Sequence, residues 1–153
     1  MTYYILKGTE VHKAKSMEEW AEYMAVSCRR PTHRHVALED FYLNDSLYCS
    51  LSTVFLGIDH NFNLENNTPI LFESMIFSDN SLDQTMERYA TWENAAKGHT
   101  FLCSRITSIL ISRHKAELRK SEEDDKHGKS YFVSKINGLI VFNDSDLRLI
   151  RED

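Results

Sequence analysis

Residues 47–59 read LYCSLSTVFLGID, and the fold turns on how this stretch is read. It is apolar, aromatic and β-branched, and it follows Asn44-Asp45-Ser46, a turn composition, so it predicts a strand. Over Val54–Ile58 both alternating positions are apolar. A strand apolar on both faces is expected at the centre of a sheet that is covered on both sides. HVALEDFYL (35–43) reads as the strand before it, and PILFESMIF (69–77) as the strand after it. Pro69 stands at a strand entrance, where a missing N–H is tolerated. Between them HNFNLENNT (60–68) is a polar loop. Connections this short predict an antiparallel meander.

Outward from this centre the patterns change period. TYYILKGTEVHK (2–13) predicts a first strand or hairpin. In SMEEWAEYMAVSC (16–28), Ser16 with Glu19 three residues on makes a capping box, and Met17, Trp20, Ala21, Met24 and Cys28 follow at helical spacing. Pro31 ends that helix. SDNSLDQTMERYA (78–90) reads as a loop or a helical turn. Thr91 is a good N-cap for a second helix, with Glu93 in the first turn. Its stripe is Trp92, Ala95, Ala96, His99, Leu102, Cys103, Ile106, Ile109 and Leu110, a 3.6-residue period. Residues 113–129 are charged nearly all round and predict a solvated helix end or mobile loop. SYFVSKINGLIVFND (130–144) places Asn137-Gly138 between apolar runs, the strongest short hairpin signal. The expectation is a single α+β domain over 1–153, an antiparallel β-sheet with two helices packed on it and a C-terminal β-hairpin.

Composition bounds the function. A chain of 153 residues suits one domain with one core. Its formal net charge of −5 opposes non-specific nucleic-acid binding, which needs a basic field. There is no apolar run of membrane-spanning length, and the first residues lack the pattern of a secretion signal. The three cysteines, Cys28, Cys49 and Cys103, have no zinc spacing and read as reduced thiols of a cytosolic protein. No phosphate-binding glycine loop, nucleophile elbow or His-Glu-x-x-His pattern is present. No cofactor is implied.

Three groups of polar residues are candidate sites. His99 interrupts the apolar stripe beside Gly98. Its expected partner is Glu73, which alternates with Leu71, Met75 and Phe77, and Asp59 and His60 end the preceding strand. His99, Glu73, His60 and Asp59 would make an acid–base site if the register brings them together. The favoured alternative is a buried His99–Glu73 hydrogen bond that fixes the register. Gly98 is explained by close packing of helix on sheet, or by the approach of a ligand. Arg29, Arg30 and Arg34, with His33 and His35 nearby, gather at the end of the first helix, where they complement its dipole or grip an anion or an acidic partner. A third ligand for a metal is missing from that group. Arg88, Tyr89, Thr91 and Trp92 open the second helix, where an anion or a stacked group would fit; packing at the core edge is the simpler reading.

Taken together, STVFLGIDHNF (52–62), LFESMIF (71–77) and RYATWENAAKGH (88–99) resemble a group of small bacteriophage-encoded proteins. Glu18-Glu19-Trp20 upstream fits the same pattern. The resemblance covers residues 1–105 and departs at NLENNT (63–68), where a Gly/Pro-rich turn would stand. It implies a phage accessory protein working in the host bacterial cytoplasm. Proteins of that kind often antagonise a host factor, including antiviral defences. The expectation is a non-catalytic binder of a host protein or of a small anionic ligand such as a nucleotide signal. The rival is a hydrolase or nucleotide-processing enzyme using His99 and Glu73. A third reading is a self-assembling virion component, and a homo-oligomer is compatible with each.

Overall fold

The computed structural model describes residues 2–29, 33–43, 46–62, 68–78, 85–124, 134–136, 139–141 and 150–151, with side-chain surroundings through Lys115. An α+β chain results, with two helices and two antiparallel sheets. β1 (Tyr4–Lys7) and β2 (Glu10–Lys13) form a hairpin that is a sheet of its own. Its turn uses Gly8 at φ 63°, where a side chain would be strained.

α1 (Met17–Arg29) follows. Its cap forms as expected, since Ser16 Oγ accepts from Glu19 N–H at 3.3 Å. The Glu19 carboxylate reaches back to Lys15 N–H, one residue earlier than the usual box. The inward face differs from the expected stripe. Trp20, Tyr23, Met24 and Ser27 turn inward, whereas Met17, Ala21 and Cys28 are exposed. Ser27 can be buried because its hydroxyl donates to the Tyr23 carbonyl at 2.8 Å.

The main sheet has seven strands; four of them run in the order β6-β5-β4-β3, and three shorter ones continue it beyond β3. β3 is His35–Leu43, β4 Ser46–Phe55, β5 Phe72–Phe77 and β6 Met86–Tyr89. β6 falls in the stretch expected as loop or turn, so the meander has one strand more than the sequence suggested. β4 is interior, as expected, but among the described residues only one of its faces is covered. The apolar run past Phe55 has a different cause. Gly57, at φ 79°, turns the chain, its carbonyl accepts from Tyr4 N–H at 2.9 Å, and Ile58 bridges Tyr3. Those residues carry the N-terminal hairpin. A Cβ at Gly57 would stand 2.9 Å from Trp20 Nε1 and 3.2 Å from Met24 Sδ.

α2 (Trp92–Asp124) lies across the covered face. Its N-cap is Thr91, whose Oγ1 accepts from Asn94 N–H at 3.2 Å. Ala95, His99, Leu102, Ile106 and Leu110 are buried as the stripe requires, and the helix runs on through the charged segment to Asp124. His114, in that charged segment, is also buried. Two core clusters result. One joins Phe41, Leu51, Ile76, Leu102, Ile106 and Leu110. The other joins Tyr4, Leu6, Phe55, Leu71, Phe72 and Ala95, and unites the N-terminal hairpin with the sheet. Short strands β7 (Ser134–Ile136), β8 (Leu139–Val141) and β9 (Ile150–Arg151) follow, with Leu43 opposite Ile136 as the junction to β3. The expected Asn137-Gly138 turn lies outside the described residues. Among the described residues no helix is long and apolar enough to cross a membrane.

Candidate functional site

Register decides what His99 meets. β4 and β5 pair with Thr53 opposite Ser74 and Val54 opposite Glu73. Neighbouring residues of a strand point to opposite faces. Thr53 and Ser74 therefore face α2, and Glu73 faces away from it. His99, 7% exposed, accordingly bonds to Thr53, with Nδ1 2.8 Å from the Thr53 hydroxyl. Thr53 in turn lies 2.6 Å from Ser74 Oγ. Both hydroxyls are fully buried. The three groups form one hydrogen-bonded chain whose direction follows the imidazole tautomer.

Burial holds the His99 imidazole below its ordinary value of 6.5, opposed by the charge of Glu39 on β3. The ring is thus neutral under ordinary conditions, as a buried histidine with a hydroxyl partner should be. Cys103, one turn on, is pushed up by burial and by Glu39. Cys49 beneath it is pushed up to about 11, chiefly by burial, then by Asp40 and Cys103. Neither thiol has the depressed pKa of a nucleophile.

The expected His99–Glu73 pair does not form. Glu73 instead accepts from Arg88 Nε at 2.9 Å on the opposite face of the sheet. That ion pair also occupies the arginine expected to hold an anion, and Arg88 Nη2 lies 3.6 Å from Met86 Sδ. Asp59 and His60 do not join His99 either. Asp59 Oδ1 accepts from Asn61 N–H at 2.8 Å and Ile70 N–H at 2.9 Å, which closes the neck of the loop. His60 donates its backbone N–H to Ile70, and its ring lies edge-on to Phe62.

The residues opening α2 serve packing. Tyr89 lies against Gly98 so closely that a Cβ there would meet its hydroxyl at 2.2 Å. That contact accounts for a glycine inside a helix. Trp92 packs edge-on against Phe72 with centroids 6.2 Å apart, and Thr91 is the cap. At the same end of the strands, beyond the start of β3, Arg34 is half-buried with its carbonyl accepting from Phe55 N–H at 2.8 Å, and Arg29 is exposed. Arg30 lies outside the described residues. His33 and His35 form no metal-binding group among the described residues.

Four polar residues escaped the sequence reading. Thr53 and Ser74 looked like ordinary strand residues, and only the register reveals them as partners of His99. His114 Nε2 and Tyr48 hydroxyl are buried with no hydrogen-bond partner among the described residues. The Arg113 guanidinium stands 5.4 Å from the Tyr48 ring centre. Arg113 also lines a shallow, open depression of about 380 Å³ with Ser108, Ile109 and Ser112. None of the expected site residues borders it.

Comparison with protein-family models, with curated proteins and with solved structures gave no match.

Proposed function

We propose that the chain is a non-catalytic binding protein, a phage accessory factor that engages a host protein in the bacterial cytoplasm. One observation carries the reading. The polar residues from which an acid–base site would be assembled are divided by the sheet and already satisfied. His99 is tied to Thr53 and Ser74 on one face, and Glu73 to Arg88 on the other. A general acid or base needs reach to a substrate proton, whereas His99 is buried with its Nδ1 committed to Thr53. The same pairing of Arg88 favours a protein partner over a small anionic signal, because this arginine, which lies on β6 and not on α2, is already matched by Glu73.

Contacts with that partner would come from Arg29 and Arg34 near the α1–β3 junction. The test is affinity capture from bacterial lysate with the whole chain as bait, repeated with an Arg29→Ala/Arg34→Ala variant. A specific protein recovered by the first bait and lost with the second supports the reading. An empty capture, with tight nucleotide binding by calorimetry, transfers it to the small-ligand alternative.

A further inference from the structure

The sheet face opposite α2 carries side chains that a solvated face does not need. Antiparallel partners share a face, so the registers place Leu38, Ser52, Met75 and Met86 in one row across β3, β4, β5 and β6. The next row is Asp40, Ser50 and Phe77, and beyond a bulge in β4 Tyr42 pairs with Leu47. Leu38, Tyr42, Leu47, Phe77 and Met86 are 41–57% exposed, and they account for most of the exposed large apolar groups among the described residues. Large apolar groups gathered on one face mark an interaction surface.

We infer that this face is the interface of a homodimer, in which two copies pack sheet to sheet with α2 outermost on each. This goes beyond the binding role above, and does not depend on it. Shape selects a second copy. Along the strands, β4 offers a trough at Ser50 and Ser52, and β5 beside it a ridge at Met75 and Phe77. A two-fold axis running along the strands between β4 and β5 lays each ridge in the other copy's trough. The same axis sets Leu38 on β3 against Met86 on β6 of the second copy. Charge agrees with shape. Arg88 is matched by Glu73, and the Asp40 carboxylate accepts from Ser50 at 2.6 Å, so these charges already have partners on the face itself.

Size agrees as well. Four strands of this length present roughly 600 Å² per copy, so a pair enters the range of specific interfaces, about 1,200–2,000 Å² in total. A single helix, about 10 Å across, would leave Leu38 or Met86 uncovered, since they stand three strand spacings apart, roughly 14 Å.

Sedimentation of the full chain over a range of micromolar concentrations tests the dimer, and three variants test its face. The wild type should sediment as a dimer. Phe77→Asp should raise the dissociation constant by about 30-fold or more with the circular dichroism unchanged, as for loss of an aromatic anchor. Phe101→Asp, an equally exposed site on α2, should not. In a Cys28→Ser background, Leu38→Cys/Met86→Cys should give a covalent dimer on oxidation. Within one chain those positions are too far apart to join. A monomeric wild type overturns the inference. So does a dimer that survives Phe77→Asp, one that Phe101→Asp dissolves, or a cross-link that forms with only one of the two introduced cysteines.

Discussion

The two faces of the main sheet are built from alternate residues of the same strands, and they differ in nearly every property. On the α2 side Cys49, Leu51, Thr53 and Phe55 are sealed, and even the polar groups are committed to a buried chain of hydrogen bonds. On the other side the intervening Ser50, Ser52 and Val54 stay half-exposed among large apolar neighbours, and the charged pair there is partly exposed. One strand therefore supplies both a core and a surface, and a single-residue shift would exchange them. It also separates the roles of the polar groups. Those on the covered face hold the fold, and those on the open face pair with one another at the surface.

The sharpest way to break this contrast is truncation. Phe72→Ala, beneath α2 and against Phe55 and Trp92, should cost about 3–5 kcal/mol in chemical denaturation, as for other buried aromatics. Phe77→Ala, measured at concentrations where the chain is monomeric, should stay within about 1 kcal/mol. Equal losses at the two positions would mean the open face is covered after all.

Next in size is Thr53→Val, which strands the His99 nitrogen and the Ser74 hydroxyl together. The expected loss is about 1–3 kcal/mol, while Ser52→Val one residue away should be near neutral. The same histidine makes the covered face sensitive to acid. Its folded pKa is depressed, so the unfolded chain takes up the proton first. Stability is therefore complete above the ordinary value of 6.5 and falls as pH drops below it. His99→Gln should flatten that part of the pH–stability curve.

Gly98→Ala sets about 1 kcal/mol of helix propensity against displacement of the Tyr89 ring. A net loss of about 1 kcal/mol is expected, turning into a gain of similar size in a Tyr89→Ala background. Smallest of all, Arg88→Ala on the open face should cost no more than about 1 kcal/mol, less at high salt.

These contrasts also explain what could be read in advance. The second helix was legible from Thr91 to Leu110, because a long 3.6-residue period with a capped start has few competing interpretations. The central position of β4 was legible too. Its cover was not, because the apolar run at Val54–Ile58 mixes two jobs, ending a strand and anchoring the hairpin. β6 escaped because Met86–Tyr89 is a short edge strand with little alternation. The inward face of α1 was displaced by one position because Ser27, a polar residue, is buried through its own backbone bond. Glu73 and His99 each stood out in the sequence, but their pairing rested on a register that periodicity alone does not supply.

Gly57 has a further consequence. It is the point where the N-terminal hairpin and α1 meet the end of β4, and it admits no side chain beside Trp20 and Met24. Residues 2–29 thus form a candidate unit of local opening, joined to the rest along a seam at Gly57 and through the core cluster around Phe55. The chain has two tryptophans, and the layers have one each: Trp20 in the N-terminal unit and Trp92 against the sheet. The molecule therefore carries its own pair of optical probes. A Gly57→Ala variant should pull their two unfolding transitions apart, and the gap between them would measure how strongly the seam couples the layers.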